Sequence, residues 1–411
     1  MTDLAFDIRG RFPGLQNTVY GRPLIYLDNA ATAQRPASVL ALQAQLSERE
    51  NANIHRAVHK LSQDATDRYE AGRSAVQRYL NVDPEVGCVV FTSGATAAFN
   101  LLATCFSARY LQRGDKIIIS EAEHHSNLVP WQMACERTGA ELVVVPVGPD
   151  GTLPVREVEK RLDGRVKFVS IAQISNVLGI VNPVREIIAA AHAKGIPVAV
   201  DGAQGVVHAD CDVQALDCDF YIFSGHKIYA PTGTGILYGK RRFLEEMPPY
   251  MGGGDMVDSV SFERTTYNAL PLKYEAGTPN FTGQACFAPA LELADTLRNS
   301  EEVKAQERAI VTYLAQELPR IEGLQIFGLP DNLETKIPLF SLTVEGTHPT
   351  DIAQILDKLG IAVRSGWMCA EPLVRRFSDR GMLRASFLPY NTMEEAEAFV
   401  AGLKRAVKML K

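Results

Sequence analysis

From Cys88 onward the chain alternates short apolar runs with helical stretches, and most of the runs stop at polar residues. Cys88-Val-Val-Phe91, Lys116-Ile-Ile-Ile-Ser120, Glu141-Leu-Val-Val-Val145, Val166-Lys-Phe-Val-Ser-Ile171, Val198-Ala-Val200 and Asp219-Phe-Tyr-Ile-Phe223 read as buried strands. Helix signals lie between them, as where Asn182 caps, Pro183 takes the first position and Lys194-Gly195 stops. Repeated strand–helix units predict a mostly parallel sheet with helices on both faces. Such sheets bind ligands outside the carboxyl ends of their strands. There this chain collects Thr96, His124, Asn176, Asp201 and Lys227. Each alone reads as a cap or loop residue; together on one edge they predict a site.

Lys227 follows Ser224-Gly225-His226 at the end of one strand, and Asp201 closes the strand before it. A lysine beside a glycine turn is ordinarily a surface residue. Paired with a strand-terminal acid it fits pyridoxal phosphate (PLP): the carboxylate faces the protonated pyridine nitrogen and the lysine carries the Schiff base. Thr92-Ser-Gly-Ala-Thr-Ala-Ala opens a helix. Backbone N–H groups and the helix dipole converge at such a start, so it is the expected cradle for the cofactor phosphate.

Further along, Met251-Gly-Gly-Gly-Asp255 breaks the pattern. Val257 to Glu263 and Leu272-Lys-Tyr-Glu275 are expected to form a hairpin-like excursion, and mixed strands and helices then predict a smaller α+β unit. Asn53 to Tyr79 reads as a helix with His55 and His59 near its start. His-Arg-Ala-Val-His lacks the glutamate of a zinc-protease motif, so no metal is expected there.

The chain resembles a group II, SUF-type cysteine desulfurase, in the class V aminotransferase group of fold-type I PLP enzymes. The resemblance runs nearly end to end. It is carried by Glu123-His-His-Ser-Asn-Leu-Val-Pro-Trp131, Ser175-Asn-Val-Leu-Gly179, Asp201-Gly-Ala-Gln204, Ser224-Gly-His-Lys227, Phe262 to Thr278, and Arg364-Ser-Gly-Trp-Met-Cys369. It implies an α/β fold in which a large domain, 21–282, holds a mostly parallel seven-stranded sheet. A small α+β domain, 1–20 with 283–411, would carry the cysteine loop.

By the resemblance, Lys227 holds the cofactor and moves protons at the substrate Cα. Asp201 pairs with the pyridine nitrogen, Gln204 with the ring hydroxyl, and His124 stacks on the ring and aids proton transfer. Thr96, Ser224, His226 and the Ala95 N–H hold the phosphate, joined across a homodimer by Gly277 and Thr278. Asn176 and Arg384 clamp the substrate carboxylate, with Arg364 and His55 also at the substrate. Cys369 is the nucleophile: L-cysteine becomes L-alanine, and a persulfide on Cys369 passes to a SUF-type acceptor protein for iron–sulfur or other thio-cofactor assembly. Two departures stand out. Trp367 and Met368 replace two histidines usual in relatives, and Ala95 replaces a threonine.

The rival readings are a selenocysteine lyase, with L-selenocysteine as substrate, a kynureninase-like or transaminating PLP enzyme, and a degenerate scaffold. Cys369 argues against the second, and intact Lys227, Asp201, His124 and Arg384 against the third. No G-x-G-x-x-G follows an early strand, which removes a dinucleotide enzyme. A net charge of −6 gives no reason to expect nucleic acid. No apolar run is long enough for a membrane span and no signal sequence is read. Seven scattered cysteines without a C-x-x-C pair point to a reducing, cytoplasmic setting.

Overall fold

Side chains alternate between two apolar layers along almost every strand of the central sheet. In β1 (Gly87–Thr92), Val89 and Phe91 enter one layer and Cys88 and Val90 the other. Along β2 (Lys116–Ser120), Ile118 faces opposite to Ile117 and Ile119. The remaining strands are β3 (Glu141–Val145), β4 (Val166–Ala172), β5 (Val198–Asp201), β6 (Phe220–Ser224) and β7 (Gly235–Lys240). Both faces of these β-branched runs are covered, as a parallel sheet between helices requires, except at the edge strand β3, where Val144 is exposed.

The computed structural model describes residues 8–411. Its seven-stranded sheet has the order β1-β7-β6-β5-β4-β2-β3. β7 runs antiparallel to both its neighbours, and the β6-β5-β4-β2-β3 pairs are parallel. Fold-type I α/β architecture is therefore present, with one reversed strand. The carboxyl ends of β4, β5 and β6 deliver Ala172, Asp201 and Ser224 to one edge.

A second sheet of β8 (Leu324–Phe327), β9 (Leu339–Val344), β10 (Arg364–Gly366) and β11 (Met382–Ser386) has the order β8-β9-β11-β10. Helices Glu301–Glu317, Pro349–Lys358 and Met393–Leu410 cover it around Phe340, Leu342, Leu383 and Phe399. The last helix starts on a capping box formed by Thr392 and Glu395. Leu27 joins this core and Ile25–Tyr26 pairs with Ile361–Ala362, whereas Phe12 and Leu15 join the large sheet's core. Among the described residues no helix is long and apolar enough to cross a membrane.

Three local expectations are corrected. The helix expected from Asn53 begins at Lys60, because His59 is its N-cap, accepting from the Ser62 N–H; His55 lies in the preceding loop. Val257–Val260 pairs with Thr265–Tyr267, while Leu272–Tyr274 is a single 3-10 turn. Pro183, not Asn182, caps Val184–His192, since the Asn182 side chain is spent on the Ala172 carbonyl at 2.8 Å. The first 20 residues, which the sequence suggests form a short helix and a turn, fall partly on residues 1–7, outside the described residues; helix at 8–10 and a 3-10 turn at Pro13–Gln16 are seen.

Candidate active site

Strand ends of the large sheet and the inner edge of the second enclose a cavity of about 140 Å3. Ala95, Thr96, His124, Asn176, Asp201, Gln204, Ser224, His226, Lys227, Arg364 and Arg384 all reach its wall. Of the residues singled out in the sequence, His55, Gly277, Thr278 and Cys369 do not line it. His55 turns to Glu70 at 3.3 Å, so its expected place at the substrate is not provided within one chain. Gly277 is held by its N–H on the Gly254 carbonyl at 2.9 Å.

Lys227 sits in the turn Gly225–Lys227 that ends β6. Burial, partly offset by Asp201, brings its ammonium down to about 8. Among the described residues its Nζ makes no hydrogen bond. Asp201 is held up by burial, against the pull of Lys227 and the Ala203 N–H. That N–H takes Oδ1 at 2.9 Å, and Oδ2 has no hydrogen-bond partner among the described residues. Gln204 spends its amide N–H2 on the Ala30 carbonyl at 2.9 Å.

His124 caps the helix His125–Thr138, its Nδ1 accepting from the Ser126 N–H at 3.0 Å. Burial and then Lys227 push it down to about 3, so it is a neutral imidazole with its proton on Nε2. His226 is likewise lowered to about 4, by burial first. The helix Ala95–Tyr110 starts at the cavity, with the Ala95 N–H donating to Ser224 Oγ at 2.8 Å. Thr96 Oγ1 and Ser126 Oγ are 2.6 Å apart.

On the opposite wall Arg384, buried in β11, donates to the Asn176 carbonyl at 2.8 Å and to Asp28 Oδ1 at 3.1 Å. Its Nε is buried without a partner. Asn176 Nδ2 donates to the Met368 carbonyl at 2.8 Å. Sequence reasoning did not assign Asp28, Ser126 or Glu123. Glu123 lies buried beside His124 under Ser120, Asn127 and the Ala172 N–H, its carboxyl pushed up by burial to about 7.

Cys369 flanks the cavity, next in sequence to the lining residue Met368 and beside the lining residue Arg364. Burial lifts the thiols of Cys88, Cys105, Cys135, Cys211 and Cys286 to between about 11 and 12. Among the seven cysteines only Cys369 is not buried, and Arg364 Nη2 lies 3.5 Å from its Sγ. The loop is not slack. Met368 and Cys369 both hold positive φ, +52° and +55°, a strained choice for side-chain-bearing residues. The His125 N–H holds the Cys369 carbonyl at 2.7 Å, and the Glu371 N–H donates to His125 Nε2 at 3.0 Å.

This wall fits PLP. An ammonium near neutrality without a hydrogen bond, an acid with one oxygen unpartnered and an orphaned guanidinium N–H face a cavity that opens on a helix start. Those are the groups that a pyridine aldehyde with a phosphate and an amino-acid carboxylate would satisfy.

The chain matches the family Aminotransferase class-V over residues 25–399. It is 43% identical over 403 residues to a probable cysteine desulfurase of Vibrio cholerae, covering 98% of both chains. With a cysteine desulfurase of Escherichia coli it shares 42% identity over 411 residues, covering 100% of both. The solved cysteine desulfurase CsdA (S-sulfonic acid) of Escherichia coli superposes with a TM-score of 0.90 at 39% identity over 100% of each chain. The apo cysteine desulfurase of Thermococcus onnurineus also gives 0.90, at 33% identity, covering 97% of this chain and 99% of that one.

Proposed function

The chain belongs to the class-V aminotransferases and is a PLP-dependent cysteine desulfurase, and from that premise we propose how its residues divide the work. PLP supplies the electron sink that stabilises negative charge at the substrate Cα. Lys227 would attach it, Asp201 would pair with its protonated pyridine nitrogen, and His124 would lie against its ring. The Ala95 N–H, Thr96, Ser224 and His226 hold the phosphate.

The L-cysteine carboxylate docks on Arg384 and Asn176. Lys227, with an ammonium close to neutrality, carries the proton at Cα, and the neutral His124 beside it aids the transfer. The Cys369 thiolate then attacks the substrate sulfur. The carbon–sulfur bond breaks, the carbon takes a proton, and L-alanine leaves a persulfide on Cys369. The observation that carries this assignment is the half-buried Cys369, 3.5 Å from Arg364 and beside the Lys227 cavity.

The persulfide passes to a SUF-type acceptor protein in the cytoplasm, and the enzyme works as a homodimer in which Gly277, Thr278 and His55 serve the partner's site. Support for the dimer is their position outside this chain's own cavity. The two-domain division belongs to the same proposal, supported by separate apolar cores; its edges move on both sides, since Phe12 and Leu15 join the large sheet's core and Leu27 the second sheet's, and beyond residue 282 Phe287, Ala290, Leu291 and Leu297 also join the large sheet's core.

A steady-state test uses Arg384→Lys, which keeps the charge and loses the planar fork. The KM for L-cysteine is expected to rise about tenfold or more with PLP still bound. An unchanged KM would remove Arg384 from the carboxylate.

A further inference from the structure

Three consecutive backbone carbonyls in the Asn176 loop are each held by a different side chain of the C-terminal segment. The Asn176 carbonyl accepts from Arg384, the Val177 carbonyl from Ser341 Oγ at 2.5 Å, and the Leu178 carbonyl from the Lys336 ammonium. Ser341 and Arg384 are cross-strand partners in β9 and β11. Lys336 precedes β9, where the Ile337 N–H donates to the Gly179 carbonyl at 3.0 Å and the Val181 N–H to the Thr335 carbonyl at 2.9 Å. Gly179, at φ +64°, permits this approach: a Cβ there would stand 2.9 Å from the Leu339 carbonyl oxygen and 3.0 Å from Lys336 Nζ. From its other side the loop holds the Met368 carbonyl through Asn176.

Lys336 is a poor choice for stability alone. It is 5% exposed, and among the described residues no carboxylate lies within ion-pair distance. Its ammonium has the Leu178 carbonyl and the Phe340 ring, 4.8 Å to the centroid. Burial, with no carboxylate to offset it, brings the group down to about 7. An apolar side chain of similar length would fill the same space without burying a charge.

We propose that Lys336 is a positioning residue for substrate binding. With Ser341 and Arg384 it fixes the Asn176 loop, so that the carboxylate clamp on one side and the Cys369 loop on the other keep one geometry. The inference rests on the clamp role proposed above for Asn176 and Arg384. It extends the working site to a lysine that does not touch the cavity.

The test is Lys336→Met in the PLP-loaded enzyme, with Ser341→Ala as a second variant that leaves the charge alone. Lys336→Met is expected to raise the KM for L-cysteine about tenfold, as loss of a charged hydrogen bond would. Alanine release in a single turnover at saturating L-cysteine should stay within about threefold of wild type. Backbone hydrogen exchange in the peptide spanning 176–181 should speed up with the global melt unchanged. Ser341→Ala should move both readings the same way, by less, and decides the matter if Lys336→Met does not fold. A folded variant with KM and local exchange unchanged would overturn the inference. So would parallel loss of KM, turnover and melting temperature, the signature of a merely structural lysine. Neither reading depends on which thiol accepts sulfur, so the test is separate from the assignment of Cys369.

Discussion

Arg364 and Arg384 stand directly opposite each other across the antiparallel pair β10–β11, and their guanidinium groups serve different partners. Arg384 meets the Asp28 carboxylate at 3.1 Å, whereas Arg364 lies 3.5 Å from Cys369 Sγ. One strand pair therefore presents, from directly opposed positions, the guanidinium proposed for the substrate carboxylate and the guanidinium beside Cys369. Register fixes the spacing between binding and attack.

Removal of the Arg364 charge should blunt the thiol. Arg364→Ala is expected to slow alkylation of Cys369 by iodoacetamide at neutral pH about three- to tenfold, the range for a partly exposed charge contact. Peptide mapping of the labelled protein reads this directly. Alkylation at the wild-type rate would mean that Arg364 does not stabilise the anion.

The helix start proposed to hold the phosphate depends on a close backbone approach. A Cβ at Gly235 would fall 2.3 Å from Gly94 Cα, and Gly94 itself holds φ +149° just before the helix Ala95–Tyr110. Gly235→Ala should push that helix start away from β7 and weaken PLP retention at least about tenfold, the scale of overpacking a tight site. Dialysis followed by the visible absorbance of bound cofactor measures it.

His124 makes stability pH-dependent with a definite sign. Its folded value near 3 lies below the ordinary 6.5, so between them the unfolded chain binds a proton that the native site refuses. Stability present above pH 6.5 is therefore lost as pH falls; His226, near 4, acts in the same direction. Glu123, raised to about 7, acts in the opposite direction over pH 4.5–7, so the informative quantity is a difference between proteins. His124→Asn keeps an N-cap and removes the titration. Between pH 7 and pH 5 it should lose about 2 kcal/mol less stability than wild type in urea unfolding. Equal losses would contradict a buried neutral His124.

The parts of this site legible in the sequence were those with a local signal. Asp201 and Lys227 each close a short β-branched or aromatic run, and the run itself announces the strand end. Glycine and small residues before Thr96 announced a helix start in the same way. The partners of these residues were not legible. Asp28 lies 356 positions from Arg384, and Lys336 lies 158 from Leu178; no local pattern encodes such meetings. Leu324–Phe327 was missed because four residues between Gly323 and Gly328 are too short for periodicity to speak. The positive φ at Met368 and Cys369 had no sequence sign either. Non-glycine residues take it there because Asn176 and His125 hold the loop from outside.

The most direct measurement is the mass of the Cys369 peptide after one turnover with L-cysteine and rapid alkylation, read beside alanine release and Cys369→Ala. The account predicts one alanine per site and one added sulfur on Cys369, both lost in the variant. Alanine released at the wild-type rate by Cys369→Ala, with sulfur on another cysteine or on none, would contradict it.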